Sequence, residues 1–124
     1  LTVVMDAYTV IYKKAIPTFS DVDLSTHLVT AEEIEKKITP KTKAIITVSW
    51  NGLSCDMDPI MKLAKKHNLK VIDDSAQSVL AKYNGKMAGT IADIGVFSFE
   101  SRKHITSGGE GGMIVTNDKE LAEG

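Results

Sequence analysis

Lys70-Val71-Ile72-Asp73-Asp74-Ser75-Ala76-Gln77 is the stretch on which the fold turns. A short apolar run, Val71-Ile72, ends abruptly in two acids and a polar tail. Just before it, Asp58-Pro59 places a capping acid ahead of a proline at the first helical position. The helix that follows sets Ile60, Leu63 and Ala64 inward and Lys62, Lys65 and Lys66 outward. One step earlier, Ala44-Ile45-Ile46-Thr47-Val48 is a continuous apolar run, the mark of a strand buried on both faces. Strand, helix, strand at this spacing is the crossover unit of a parallel sheet. The expected fold class is therefore α/β, with a largely parallel sheet covered by helices. In such sheets ligands gather beyond the carboxyl ends of the strands, where Asp73, Asp74 and Gln77 fall.

The pattern extends both ways. Upstream, Val3, Val4, Ala7, Tyr8, Val10 and Ile11 recur at helical spacing, predicting a helix over 3–15 with Lys13 and Lys14 near its carboxyl end. Pro17 stops it, and residues 18–22 alternate like a strand. Thr30-Ala31-Glu32-Glu33 is a capping box that opens a helix to about Ile38. Downstream, Asn84-Gly85 signals a tight turn between two short extended pieces. Strands are expected at 95–99 and 112–116. Asn117, with Glu120 three residues on, opens a last helix.

Composition bounds the function. The 124 residues suffice for one domain, burying roughly two-thirds of the unfolded chain's surface. Fifteen basic and 16 acidic side chains leave a charge of −1, so no basic excess favours a nucleic-acid partner. No apolar run approaches the ~20 residues that span a bilayer. No basic-then-apolar leader is visible. The expected location is cytoplasmic, with no membrane partner. Cys55, the single cysteine, allows no internal disulfide and reads as a small, half-buried loop residue. No metal site is expected. The apolar start at Leu1 and the short helical pattern over 120–124 suggest a piece of a longer protein.

Three polar groups stand at or after strand ends: 73–77; Ser98 within Phe97-Ser98-Phe99; and Lys103 ahead of the turn Ser107-Gly108-Gly109-Glu110-Gly111-Gly112. Each has an ordinary reading taken alone. The acids suit a turn or cap, the serine a satisfied core hydroxyl, the lysine a solvated loop. The glycine-rich turn has neither Walker nor dinucleotide spacing.

Their order and spacing carry more. Ile38-Thr39-Pro40-Lys41-Thr42-Lys43-Ala44-Ile45-Ile46, Asp56-Met57-Asp58, Asp74-Ser75-Ala76-Gln77, Tyr83-Asn84-Gly85-Lys86, Phe97-Ser98-Phe99, Lys103 and Glu110 through Asn117 together resemble the DegT/DnrJ/EryC1/StrS family of pyridoxal-phosphate (PLP) aminotransferases. The resemblance covers nearly the whole chain. It implies a three-layer sandwich around a mainly parallel sheet. Residues 1–124 would then be the central part of a fold-type-I, aspartate-aminotransferase-like large domain, with amino- and carboxyl-terminal parts lying outside them. It implies that Lys103 holds the cofactor as a Schiff base and shuttles a proton; neighbouring Arg102, and His104 when protonated, would help by repelling a third positive charge. Asp74 would face the pyridine nitrogen, Gln77 the 3-hydroxyl side, and Ser98 the phosphate. The implied reaction moves an amino group from an amino acid, glutamate in most members, to a keto-sugar, typically nucleotide-linked. A homodimer is implied for the full-length parent.

Two other readings stay open: a non-catalytic folded fragment, and a sugar dehydratase of the same fold. The dehydratase is disfavoured because that branch carries His at the position of Lys103. The sequence also departs from the family pattern. Val3 stands where an aromatic residue commonly stacks on the cofactor ring. Ser49-Trp50-Asn51-Gly52 replaces a His-aromatic-aromatic-Gly stretch. The glycine-rich turn is one glycine longer.

Overall fold

A computed structural model describes residues 4–123; Val3 lies outside the described residues. Four strands form one sheet: β1 (Ala44–Val48), β2 (Lys70–Asp74), β5 (Ile94–Ser98) and β6 (Gly112–Val115). They stand side by side in that order. β1, β2 and β5 run parallel, and β6 is antiparallel to β5. A separate hairpin pairs β3 (Lys82–Tyr83) with β4 (Lys86–Met87). The helices are α1 (Val4–Tyr12), α2 (Ala31–Glu35), α3 (Met57–Lys66) and α4 (Lys119–Glu123). The expected α/β class and mainly parallel sheet are both present.

The core forms where α3 crosses from β1 to β2. Met57, Ile60, Leu63 and Ala64 of α3 pack with Ile45 of β1 and Val71 of β2. Each large apolar side chain taken wholly from water there contributes ~1.5–3 kcal/mol. The expected inward set, Ile60, Leu63 and Ala64, is buried, and Lys62, Lys65 and Lys66 are exposed. Burial alternates along β1, β2 and β5, so only one sheet face is fully covered. The apolar run of β1 does not mark burial on both faces. Ile46 and Val48 are half-buried, and an apolar cavity of about 620 Å³ separates them from Ala7 and Val10 of α1.

Several boundaries differ from expectation, each for a local reason. α1 ends at Tyr12 rather than continuing to residue 15, because Lys14 takes a left-handed conformation (φ 59°). Residues 18–22 form no strand; Val22 makes only an isolated bridge to Val29. The Asp23 carboxylate accepts from the amides of Ser25 and Thr26 and turns the chain there instead. Thr30 does cap α2, accepting from the Glu33 amide at 3.4 Å, but the helix stops at Glu35, short of Ile38.

α3 begins one residue before Asp58, so Asp56 is the flanking residue and Pro59 the third helical position. Neither acid caps in the expected way. Asp56 accepts the Tyr83 hydroxyl, and Asp58 accepts the Asn84 amide at 3.0 Å. These contacts dock the hairpin on the start of α3. Asn84 and Gly85 both have positive φ, 49° and 79°, as its two-residue turn demands. β5 runs over 94–98 rather than 95–99. α4 is capped by Asp118, not Asn117: its carboxylate accepts from the Glu120 and Leu121 amides at 3.0 and 3.4 Å.

Candidate active site

The carboxyl ends of β2 and β5 lie side by side, with Asp74 in register with Val96. Period-two alternation sends the two acids of β2 to opposite faces. Asp73 is fully buried, whereas Asp74 is half-buried on the less covered face. β2 then breaks into a turn. The Ala76 amide donates to Asp74 Oδ1 at 2.9 Å, and the Ser75 amide donates to the Val96 carbonyl at 2.9 Å. The same turn is held from the other side. Ser49 N–H donates to the Asp74 carbonyl and Gly52 N–H to the Gln77 carbonyl, both at 2.9 Å. Asn51 and Gly52 have consecutive positive φ values of 51° and 81°, a bend that brings this loop back onto Gln77.

Burial raises the pKa of Asp74 above the usual aspartate range. The Ala76 N–H bond opposes the shift, the charge of Asp6 on α1 adds to it, and the positive charge of Lys103 acts against it. Lys103 and Asp74 therefore feel one another across the strand ends, although they lie 29 positions apart in sequence.

Lys103 sits in the turn after β5, half-buried, its amide donating to the Glu100 carbonyl at 2.9 Å. Together with Gln77, Glu100, Arg102 and His104 it lines an open cleft of about 480 Å³. Arg102 is directed to Glu100, Nε to Oε1 at 3.1 Å, so much of its charge is matched locally. Ser98, the last residue of β5, accepts the Glu100 amide at 3.4 Å, which leaves its own proton available for a ligand. The Phe99 amide donates to Gly111 at 2.7 Å, tying the glycine-rich turn to this strand end.

The structure thus brings Lys103 and Gln77 into one cleft, with Asp74 at the end of β2 three residues before Gln77. Ser98 lies at the neighbouring strand end but does not line that cleft. A carboxylate, an amine, a carboxamide and a hydroxyl at adjoining strand ends match the donor set a pyridinium phosphate aldehyde requires. Among the described residues, no group of three or more His, Cys, Asp or Glu side chains is placed to hold a metal ion.

One other expectation is corrected. Cys55 is not half-buried but wholly buried. Its thiol donates to the Val48 carbonyl at 3.4 Å. Burial, and secondarily the nearby charge of Asp73, pushes it up to about 12. Trp50 packs, half-buried, against the main core cluster.

Sequence reasoning missed the polar cluster beneath the turn. The Asp73 carboxylate accepts Thr47 Oγ1, Ser49 Oγ and Ser75 Oγ, each at 3.0 Å, and Gly89 N–H at 2.9 Å. A signal existed: Thr47 and Asp73 fall on the inward phase of their strands, and Ser49 continues that phase just past β1, where apolar residues belong.

A mainly parallel α/β sheet with polar side chains gathered beyond its strand ends has the layout of a ligand-binding α/β domain. Residues 1–124 match the DegT/DnrJ/EryC1/StrS aminotransferase family throughout, and the chain belongs to that family. It is 48% identical over 122 residues to a GDP-perosamine synthase of Caulobacter vibrioides, covering 98% of this chain and 33% of that protein. It is 48% identical over 120 residues to a UDP-N-acetyl-3-dehydro-alpha-D-glucosamine 3-aminotransferase of Acidithiobacillus ferrooxidans, covering 97% of this chain and 32% of that one. Among solved structures, an aminotransferase from Psychrobacter cryohalolentis superposes with a TM-score of 0.95 at 48% identity, over 97% of this chain and 30% of that one. The chain spans about a third of the length of the relatives it matches. Among the described residues, no helix is long and apolar enough to cross a membrane.

Proposed function

We propose that residues 1–124 are the central part of the large domain of a PLP-dependent aminotransferase. It moves an amino group from an amino acid, glutamate, to a keto-sugar carried on a nucleotide. The parent is a cytoplasmic homodimer in this reading. The observation that carries it is that Lys103 and Gln77 line one cleft, with Asp74 at the end of β2 just before Gln77. The names of the relatives, a perosamine synthase and an amino-sugar aminotransferase, support the substrate class.

Bound PLP supplies an electron sink that weakens the bonds at a substrate's α-carbon. The residues of this chain do the rest. Lys103 would hold the cofactor through its side-chain amine and, when free, would serve as the base that moves a proton at the substrate's α-carbon. Asp74 would face the ring nitrogen with its carboxylate and so favour its protonation. A cation there also offsets the burial that raises the Asp74 pKa in its absence. Gln77 would border the 3-hydroxyl, and Ser98 would donate to the phosphate.

A lysine at position 103, where the dehydratase branch has histidine, favours amino transfer over dehydration. Activity belongs to the longer protein in this reading. Met113 and Ile114 lie exposed along the edge strand β6, a surface that an isolated piece leaves uncovered.

The test adds PLP to the full-length protein and follows the visible absorption band. The expected result is a band that borohydride makes permanent, that glutamate discharges, and that Lys103→Ala abolishes. A full-length protein that takes up no PLP, or a band that survives Lys103→Ala, contradicts the assignment.

A further inference from the structure

Asp73 is a carboxylate with no exposed surface, and its hydrogen-bonding partners are all neutral. Nothing in the reaction proposed above uses it. An isolated buried carboxylate is costly, and here four donors offset that cost. They come from four segments. Thr47 is on β1, and Ser49 follows it in the loop that returns to Gln77. Ser75 is in the turn between Asp74 and Gln77. Gly89 follows the hairpin, where an added Cβ would stand 2.5 Å from the Phe97 ring and 3.0 Å from Ser75 Oγ.

The two carboxylate oxygens divide the work. Oδ1 takes the hydroxyls of Thr47 and Ser49, and Oδ2 takes Ser75 Oγ and the Gly89 amide. The turn that carries Asp74 and Gln77 is thereby fastened from below on the face opposite the cleft.

We infer that Asp73 is a positioning residue, whose buried hydrogen bonds fix the 74–77 turn and so set Asp74 and Gln77 toward the cofactor. The part concerning the cofactor rests on the function proposed above; the part concerning the turn does not.

The geometry distinguishes shape from charge. Three of the four donors are hydroxyls, which can rotate to accept as well as donate; the Gly89 amide cannot. In Asp73→Asn the amide oxygen can keep Ser75 and Gly89, while the amide nitrogen donates to Thr47 and Ser49. The network survives without the charge. In Asp73→Val, of similar shape, three hydroxyls and one amide lose their partner.

The experiment measures amide hydrogen exchange and PLP affinity in the full-length protein. For Asp73→Val, exchange at 75–78 is expected to accelerate by about tenfold or more relative to α3, with PLP affinity weakened about tenfold or more, as the loss of several buried hydrogen bonds implies. Asp73→Asn should restore both to within about threefold of wild type. Ser75→Ala removes a single bond and serves if Asp73→Val fails to fold, with a smaller acceleration confined to the same turn. Unchanged exchange at 75–78, or acceleration spread equally through α3, overturns the inference. Asp73→Asn behaving like Asp73→Val also overturns it. If wild type takes up no PLP, the proposed function fails, while the exchange comparison still decides whether Asp73 holds the turn.

Discussion

Gly95→Ala probes the position, among the described glycines, where an added methyl would meet backbone most closely. A Cβ at position 95 would stand 1.7 Å from the Gly89 carbonyl oxygen, 2.5 Å from its carbon and 2.8 Å from its α-carbon. An ordinary carbon–oxygen contact needs about 3.3 Å, so one backbone must retreat by about 1.5 Å. Neither is free to do so. Gly95 is mid-strand, in register with Asp73 on one side and Val115 on the other. Gly89 is held by its bond to Asp73 at 2.9 Å, and the preceding Ala88 amide donates to Ala81 at 2.9 Å.

Overpacking of this kind costs ~1–3 kcal/mol. Breaking the Gly89–Asp73 bond adds ~1–3 kcal/mol for a buried partner left unmet. The expected loss is therefore ~2–6 kcal/mol, a large part of the 5–15 kcal/mol that typically holds a domain together. Equilibrium urea unfolding measures it. Gly109→Ala is the control: nothing lies within 4 Å of its added methyl, so a change within about 0.5 kcal/mol is expected. A Gly95→Ala protein as stable as the Gly109→Ala control refutes the packing described for β5 against the hairpin exit.

Two further predictions concern titratable groups. Cys55, buried with its thiol pushed up to about 12, should resist aromatic disulfide reagents in the folded protein and react fully in denaturant. Rapid native labelling contradicts its burial. Hydrogen bonds, first from Ser25 Oγ and then from the Thr26 amide, lower Asp23 to about 2. A depressed carboxylate contributes its stability fully above the usual aspartate range and loses it as pH falls through about 2. Carboxyl NMR titration should place Asp23 near 2, with Ser25→Ala moving it up toward the ordinary value. An Asp23 signal that titrates normally in the wild type contradicts the turn at 23–26.

The architecture was legible because its signals are strongly periodic. Ile60, Leu63 and Ala64 on one stripe of α3, and the apolar strands on either side, leave little choice but a parallel pair. Errors arose where side chains compete with the backbone. Asp23 collects local amides and turns a stretch that alternates like a strand. Asp56 and Asp58 serve the hairpin instead of capping α3, a partnership 25 or more positions away in sequence. Asn51-Gly52 carries the same turn signal as Asn84-Gly85, and its role in holding Gln77 appears only once the strands are aligned.

The positions of Asp74, Gln77 and Lys103 followed from the spacing of motifs. The Asp73 cluster did not, because its partners are scattered over 47–89 and converge only through the sheet. Val3, where the resemblance would put the ring-stacking residue, lies outside the described residues.

Lys103 as the point of covalent attachment is the most exposed claim. Borohydride reduction of the PLP-treated full-length protein, followed by peptide mass mapping, tests it directly. The expected result is one pyridoxyl adduct, on Lys103, absent from Lys103→Ala. A stable adduct on another lysine, or none after reduction, contradicts the account.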